Sequence, residues 1–551
     1  MPEIVTTREE PSAPPQDTLI DRRVFLARLA ALTAATSAVS MLRPAPVRAA
    51  YKMPPELLDP DAFAPSVRLE AVTDLTELTL SEAARLIRNR QIKSIDLVEA
   101  YLARISAFDG VYKAFNTVLA AEARNLANAT RVSGNNPPLL GIPLAIKDNY
   151  YTAGTLTTAN SYIYEDFVPD FDATAVARLK AAGAIVIGKT QMGPLATTRA
   201  TTPDGIVTTV NAWTPSQPSI DPGGSSSGSA TATAGRMASS SIGTQTGGSI
   251  TAPSNAQGLT GLKPTMGRVS LYGIIPLTYT RDHPGPLARD AKDAAIMLQA
   301  MAGGDDNDPR TLGLPKVPNL IKAATPVKKN KAYALRWPTK IGVIPNYTSG
   351  TSQNAVARAQ MLSTFATLGA EIVDVALPDE WSLLTGAFNA VRLPERTEPF
   401  LEYLRTDLKL FGVSLNSWMQ GLFLSGDEYL KGQRAKYLLA KRCFEQLFTQ
   451  CDVVVQTSPV PFDIIGFPEI AFPIGFGVSS EATGMLPIPL GGIFGGMPYS
   501  EDRLLSLVAA YQAVTDFHLR RPPDPTLPSL GRGVTAPEIR LTAEDVEAAT
   551  E

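Results

Sequence analysis

The chain has 551 residues, of which 44% are hydrophobic and 19% are charged, and its formal net charge is −3. This composition is typical of a globular protein that is long enough to bury one large core or two smaller ones. The small net charge leaves no electrostatic footprint for nucleic acid or for an anionic membrane surface, so neither is an expected partner. Only two Cys and two His residues occur, which predicts no disulfide framework, no metal site and no cofactor.

The beginning of the chain predicts an export signal over residues 1–49. A polar start is followed by the pair Arg22-Arg23 and then by an apolar, Ala-rich run from Leu29 to Leu42, which is short for a membrane helix. The next residues include Val47-Arg48-Ala49, which has the small-x-small pattern of a cleavage site. The segment resembles a twin-arginine signal cleaved after Ala49, and it predicts a periplasmic or secreted protein. An amphipathic helix or an uncleaved anchor is the alternative.

The rest of the chain divides into three parts. Residues 50–74 are predicted to be a linker, residues 75–522 a single domain, and residues 523–551 a loose polar C-terminal tail. Inside the domain, residues 380–445 have a helical pattern and contain no catalytic motif. We therefore expect residues 380–445 to form a lid or a pocket wall.

Helical and strand patterns alternate along the domain. Thr79 and Glu82 have the spacing of a capping box and predict the start of a helix, and Ser94 begins a second helix. Short apolar runs predict strands over 142–146, 184–187, 341–344 and 453–455. This alternation favours an α/β fold with a largely buried sheet.

Lys147 ends the first of these apolar strands. Burial of an ammonium group without partners is costly, and desolvation lowers the pKa of a lysine. A buried Lys147 would therefore offer a neutral amine as a general base. The alternative is a strand-terminal lysine that reaches solvent.

Two Gly- and Ser-rich segments follow Lys147. The first places Gly223 and Gly224 before three serines and is by itself equally typical of a flexible loop, although it lacks a nucleotide-binding motif. The second places Gly247 and Gly248 directly before Ser249. Glycines in that position let consecutive backbone N–H groups converge near the hydroxyl, as an oxyanion hole requires. A plain turn is the alternative.

These three segments, in this order, resemble the amidase signature family. The spacing between Ser225 and Ser249 fits the family pattern, and the resemblance covers roughly residues 75–522. Further matching segments are Gly261–Ser270, Gly285–Arg289, Phe467-Pro468 and the helix around Tyr511 to His518. The resemblance implies a mixed, twisted central β-sheet that is covered by helices on both faces.

The resemblance also implies a Ser-Ser-Lys triad that hydrolyses the C–N bond of a small-molecule amide through an acyl-enzyme. Ser249 would be the nucleophile, Ser225 after a cis peptide bond would relay the proton, and Lys147 would be the base. The backbone N–H groups expected to hold the oxyanion are those of Thr246, Gly247, Gly248 and Ser249. Ser226 would support this network through a hydrogen bond.

Two positions beside the nucleophile depart from the family pattern. Gln245 stands where the family commonly has an aspartate, and Thr251 stands where it has an arginine. Loss of one member of a buried ion pair strands a charge, whereas loss of both can be nearly neutral, so the double change is interpreted as compensated. An arginine beside the nucleophile would suit anionic substrates, so its absence favours an uncharged acyl group.

Other functions are compatible with parts of this pattern. An esterase or a carbamate hydrolase would use the same triad. An amidotransferase glutaminase subunit would need cytoplasmic partners, which the export signal opposes, and a silent scaffold would not need an intact triad. A Ser-His-Asp hydrolase would need His283 or His518, and neither lies in a nucleophile-elbow motif; His283 lies in a turn-like stretch and is expected to be structural. A homodimer would be unsurprising.

Overall fold

The computed structural model describes residues 53–59, 63, 73–133, 136–479, 486–526 and 539–550. The described residues from Met53 onward belong to one compact unit. The export signal predicted over residues 1–49 lies outside the described residues.

The strands of the described chain are numbered in chain order. They are β1 (Phe115–Val118), β2 (Pro143–Lys147), β3 (Ile185–Thr190), β4 (Ser240–Gln245), β5 (Thr260–Lys263), β6 (His283–Ala288), β7 (Val327–Lys329), β8 (Ala332–Ala334), β9 (Lys340–Val343), β10 (Glu371–Asp374), β11 (Val453–Gln456), β12 (Glu469–Val478) and β13 (Pro487–Gly496).

The α-helices are numbered in the same way. They are α1 (Leu80–Arg88), α2 (Ser94–Tyr112), α3 (Ala120–Ala129), α4 (Thr174–Ala181), α5 (Ser227–Ala234), α6 (Thr251–Gln257), α7 (Ala291–Met301), α8 (Leu320–Ala323), α9 (Gln353–Thr367), α10 (Trp381–Gly386), α11 (Phe388–Thr397), α12 (Leu401–Thr406), α13 (Leu415–Met419), α14 (Gly426–Arg442), α15 (Val460–Ile465), α16 (Glu501–Gln512) and α17 (Ala543–Thr550). Short 3₁₀ turns and one π-helical turn, Cys443–Leu447, complete the described helical structure.

Eleven of the described strands form one mixed sheet, in the order β1-β3-β2-β4-β6-β5-β12-β13-β11-β9-β10. Strand β2 pairs in parallel with β3 and β4, and β9 pairs in parallel with β10 and β11. The other neighbours are antiparallel. The expected mixed α/β sheet is confirmed, and the four strands predicted from apolar runs correspond to β2, β3, β9 and β11.

The apolar runs form central strands because both faces of these strands are covered. Every residue of β2 and of β3 is buried, which is the environment that a run without polar alternation indicates. Most buried apolar side chains, among them Leu144, Ile146 and Ile242, belong to one cluster around the sheet. A second cluster contains Cys443 and Cys451, which are free and buried, so they are core residues as predicted.

The helix predictions are also confirmed at their starts. The Thr79 hydroxyl accepts a hydrogen bond from the Glu82 N–H at 3.2 Å, and the Glu82 carboxylate accepts one from the Thr79 N–H at 2.8 Å. This reciprocal pair is the capping box that opens α1. Helix α2 begins at Ser94, and the region predicted to be helical over residues 380–445 contains α10 to α14.

The prediction of a loose C-terminal tail is wrong for the part that the structure describes. Asp524 forms an ion pair with Arg104 at 2.5 Å, and the Leu541 N–H donates to the Gly205 carbonyl at 2.8 Å. The side chain of Val546 is buried. Polar composition was misleading here because charged side chains and backbone groups, rather than apolar side chains alone, attach this segment to the body.

The sequence context of His283 suggested a turn, but in the structure His283 lies in a strand. It is the first residue of β6 and pairs with Gln245 of β4. In the described part of the chain, no helix has both the length and the apolar character needed to cross a bilayer.

Replacement of Thr79 by alanine is expected to lower the free energy of unfolding by about 1 kcal/mol, because the substitution removes the N-cap acceptor of α1. Thermal and urea unfolding would measure this change. Thr367→Ala is the control, because Thr367 is an exposed threonine at the end of α9 with no capping role, and its effect should stay within about 0.5 kcal/mol. Equal losses in the two variants would contradict the capping role.

Candidate active site

The site is built where two neighbouring parallel strands end. Lys147 is the last residue of β2, and β2 pairs in parallel with β4, with Ile146 opposite Ile242. Parallel strands end at the same edge of a sheet, so Lys147 lies beside Thr244, near the end of β4. The sequence after β4 turns sharply through Gly247 and Gly248 into α6.

The amine of Lys147 is fully buried and is bound by hydroxyl groups. Its Nζ atom lies 2.8 Å from Ser225 Oγ and 2.9 Å from Thr244 Oγ1. Burial lowers the pKa of Lys147 to about 7, against the opposing attraction of Asp282. Of the two alternatives left by the sequence, Lys147 is the buried amine rather than a lysine that reaches solvent.

Ser225 lies in a tight loop that packs against the helix after Ser249. The peptide bond between Gly224 and Ser225 is cis, as the resemblance implied. Gly223 has a φ of +78°, and a Cβ atom there would lie 2.4 Å from the Cα atom of Pro253 in α6. Glycine is therefore required for this close approach, which brings the Ser225 loop to the start of α6.

Ser249 lies at the tip of the turn between β4 and α6. Its side chain is mostly buried, with 6% exposure, whereas Gly247 next to it is exposed and faces open space. No hydrogen bond to the Ser249 hydroxyl occurs among the described residues. The structure therefore joins Lys147 to Ser225 directly, but it contains no direct hydrogen bond between Ser225 and Ser249.

The backbone N–H groups of the turn are not equivalent. The Gly248 N–H donates to Asp463 Oδ2 at 2.9 Å, so the expectation that this group is free to hold an oxyanion does not hold in this structure. Within the described residues, no acceptor is found for the N–H groups of Gly247 and Ser249. Thr246 is held by its carbonyl, which accepts from Arg281 Nη2 at 2.7 Å, and by its hydroxyl, which donates to Asp282.

Gln245 and Thr251 face each other beneath the turn. Both side chains are fully buried, and the Thr251 hydroxyl donates to Gln245 Oε1 at 3.2 Å. The double departure from the family pattern is thus a neutral hydrogen-bonded pair in the core. Because neither side chain faces the open space at Gly247, the departure says nothing about the charge of a substrate, and the inference of an uncharged acyl group loses its support.

A buried charged cluster lies next to Gln245, and the sequence reasoning missed it. Lys263 Nζ lies 3.3 Å from Asp463 Oδ1 and 3.2 Å from Glu469 Oε2, and all three side chains are fully buried. Burial raises the pKa of Glu469 well above its ordinary value, and the attraction of Lys263 opposes this. The signal that could have revealed the cluster is the pair of acids inserted into the apolar stretch from Phe462 to Phe472.

Ser226 and the helical region make secondary contacts to the site. The Ser226 hydroxyl donates a long hydrogen bond of 3.4 Å to the Thr244 carbonyl. From the region over residues 380–445, the Phe388 ring stacks on the Arg281 guanidinium, with 4.1 Å between the Cζ atom and the ring centroid. Arg281 in turn holds the Thr246 carbonyl. The region over residues 380–445 therefore packs against Arg281, which is bonded to the turn that carries Ser249.

The histidines and the acidic loop have structural environments. His283 is buried, burial lowers its pKa well below the ordinary value, and its Nδ1 atom lies 3.3 Å from the Gln245 carbonyl. Asp305 accepts hydrogen bonds from Thr174 and Ser270, both at 2.6 Å. In the part of the chain that the structure describes, no three His, Cys, Asp or Glu side chains are arranged to hold a metal ion.

Comparison with known proteins places this chain in a family. The chain matches the family model described as Amidase over residues 96–463. It is 36% identical over 502 residues to a glutamyl-tRNA(Gln) amidotransferase subunit of Roseiflexus sp. (strain RS-1), an alignment that covers 82% of this chain and 99% of that protein.

Two solved structures show the same relationship in three dimensions. The peptide amidase of Stenotrophomonas maltophilia is 28% identical, with a TM-score of 0.68, and the match covers 82% of this chain and 99% of that chain. An amidase family protein of Bacillus anthracis str. Ames is 25% identical, with a TM-score of 0.69, and the match covers 85% of this chain and 98% of that chain. The chain therefore belongs to the amidase signature family, whose enzymes act on amide C–N bonds.

Proposed function

We propose that this protein hydrolyses the C–N bond of a carboxylic amide through an acyl-enzyme on Ser249. The observation that carries the proposal is the buried contact of 2.8 Å between Lys147 Nζ and Ser225 Oγ. It lies beside a glycine turn that presents Ser249 next to open space. The expected substrate is a small amide, and no metal ion takes part in the proposed steps.

Three oxygen atoms surround the Lys147 amine, and a neutral amine needs only two of them as acceptors. The Thr244 carbonyl, 3.4 Å from Nζ, can only accept, and the Thr244 hydroxyl already accepts from Asn149 Nδ2 at 3.2 Å. A neutral Lys147 with its N–H groups directed at Thr244 keeps its lone pair for the proton of Ser225. A pKa near 7 makes this form abundant at neutral pH.

The proposed reaction moves one proton along the triad in each direction. Lys147 takes the proton of Ser225 while Ser225 takes that of Ser249, and the Ser249 oxygen bonds to the amide carbon. The tetrahedral oxyanion is held by the N–H groups of Thr246, Gly247 and Ser249, which have no acceptor among the described residues. As the C–N bond breaks, the relay returns the proton to the leaving nitrogen. The oxygen of a water molecule then bonds to the acyl carbon while the triad takes a water proton. The relay returns this proton to Ser249 Oγ as its bond to the acyl carbon breaks, and the carboxylic acid is released.

The same chemistry extends to related acyl groups. Attack by Ser249 on a carbonyl does not depend on the identity of the leaving group, so an ester or a carbamate would also acylate the enzyme. An amide differs because its nitrogen leaves poorly unless it is protonated, and the buried Lys147 relay supplies that proton. This difference favours amide hydrolysis over the alternatives.

A second candidate is one component of an amidotransferase, because the relative from Roseiflexus is named as a glutamyl-tRNA(Gln) amidotransferase subunit. Glutamine would then be the amide, and partner proteins would be required. The Arg22-Arg23 signal opposes this function, because export would separate the chain from tRNA. Ammonia release from glutamine that depends on the other components of an amidotransferase would favour the second candidate.

Ser249→Ala is expected to lower amide turnover by about 10⁴-fold or more, because the substitution removes the nucleophile. Intact mass spectrometry after treatment with a fluorophosphonate should show one adduct on the wild-type chain and none on this variant. Ser458→Ala is the matched control, since Ser458 is an exposed serine beside Pro459, which adjoins Gly248. An adduct on a residue other than Ser249 would overturn the triad.

The rate of fluorophosphonate labelling is expected to rise with pH and to level off above an apparent pKa of about 7. Protonated Lys147 cannot accept the Ser225 proton, so the reactive form is lost as the pH falls. Labelling rates between about pH 5.5 and 8.5 would measure this profile. Lys147→Met should label far more slowly and without this pH dependence. A flat wild-type profile, or normal labelling of the variant, would remove Lys147 from the mechanism.

We propose that the protein is exported to the periplasm or secreted through its twin-arginine segment. Mass spectrometry of the exported protein should give a chain that begins at Ala50, as expected for cleavage after Ala49. The double variant Arg22→Lys, Arg23→Lys should stay in the cytoplasm at full length. Export of that variant, or export from a host that lacks the twin-arginine translocase, would contradict the proposal.

A further inference from the structure

The turn that carries Ser249 is attached to a buried side chain on a distant part of the chain. Asp463 lies in α15, beyond the helical region, and its side chain is fully buried. Its Oδ2 atom accepts the hydrogen bond from the Gly248 N–H at 2.9 Å. The Asp463 carboxylate is thus hydrogen-bonded to the backbone of Gly248, the residue directly before Ser249.

The second oxygen of Asp463 reaches the other side of Ser249 through Gln245. Asp463 Oδ1 accepts from Gln245 Nε2 at 2.9 Å. Gln245 Oε1 then accepts from the N–H groups of Ile250 and Thr251, both at 2.9 Å. The two side chains together bind backbone N–H groups before and after Ser249, so they fix both ends of the turn.

The charge of Asp463 is compensated from the side opposite the turn. Lys263 Nζ lies 3.3 Å from Asp463 Oδ1 and also donates to the Phe462 carbonyl at 3.1 Å. Glu469 touches Lys263 and Gln245 but has no contact with the backbone of the turn. Because a buried carboxylate is stable only when it is paired, Lys263 allows Asp463 to keep its acceptor directed at Gly248.

The Gly248 conformation makes this hydrogen bond important for the geometry of the turn. Gly248 has a φ of +93°, and its N–H is directed at Asp463. An oxyanion site requires donors whose positions are fixed before the reaction. The hydrogen bond to Asp463 fixes the position of the Gly248 N–H, which lies in the chain between the N–H groups of Gly247 and Ser249.

We propose that Asp463 is a positioning residue for the reaction at Ser249. It does not touch the substrate; it fixes the orientation of the Gly247 and Ser249 N–H groups by holding the Gly248 N–H between them. This inference rests on the proposed function of Ser249 as the nucleophile. It predicts that removal of the Asp463 acceptor slows the chemical step and leaves the binding of a probe almost unchanged.

The test measures inactivation of the full chain by an ethoxy-fluorophosphonate, and intact-protein mass spectrometry detects the adduct. Rates at several probe concentrations give two quantities, the maximal rate of inactivation and the probe concentration at half of that rate. Asp463→Ala should lower the maximal rate by about 100-fold, because small misplacement of groups at a reacting centre has effects of this size. The half-maximal concentration should change by less than about threefold. Asp463→Asn keeps only one acceptor oxygen and places its amide N–H₂ group against a donor, either Gln245 Nε2 and Lys263 or the Gly248 N–H, so its maximal rate should lie between those of Asp463→Ala and wild type.

Asp293→Ala is the matched control, because Asp293 is also a fully buried aspartate that accepts two backbone N–H groups, those of Leu80 and Ser81, and has no bond to the cluster around Gln245 among the described residues. Its maximal rate should stay within about threefold of wild type. A wild-type rate in Asp463→Ala would overturn the inference, as would a rise in the half-maximal probe concentration that accounts for the whole loss. If Asp463→Ala does not unfold cooperatively on heating, the near-isosteric Asp463→Leu takes its place with the same expected loss. Failure of the wild-type chain to label at Ser249 would instead refute the proposed function.

Discussion

The burial of the Lys147 amine is the constraint on which the rest of the site depends. No carboxylate lies within ion-pair distance of this amine among the described residues, and its nearest partners are the hydroxyls of Ser225 and Thr244. The acid that acts on it from a distance, Asp282, is itself bound by Thr246 and by backbone N–H groups. Desolvation without an ion pair therefore keeps the pKa of Lys147 low enough for it to act as a base.

Two other buried lysines near strand ends show what this arrangement avoids. Lys189 of β3 forms an ion pair with Asp148 at 3.1 Å, and Lys263 of β5 lies between Asp463 and Glu469. In both cases a carboxylate lies within ion-pair distance of the amine, which is the arrangement of a structural ion pair, and burial still lowers the pKa of Lys189. Lys147, Lys189 and Lys263 are all fully buried, and they differ in whether a carboxylate lies within ion-pair distance of the amine.

The residues around Ser249 depart from the family pattern at two buried positions. Gln245 and Thr251 form a hydrogen bond where the family commonly has an aspartate and an arginine. The charged groups nearby are Asp463 and Lys263, which form an ion pair next to Gln245. All these side chains are buried, so they support the turn rather than contact a substrate. Next to Ser249, open space lies beside Gly247.

The sequence by itself determined the local elements and identified Lys147, Ser225 and Ser249 as candidate site residues. The capping box at Thr79 and the apolar strand that ends at Lys147 depend on local preferences and periodicity, which are encoded in adjacent residues. The tertiary structure decided whether Lys147 is buried, and that the Gly248 N–H is occupied by Asp463. These features depend on contacts between residues that are distant in the chain, such as Asp463 and Gly248. Local patterns carry no information about such pairings, because burial and partnership exist only once the sheet has brought the segments together.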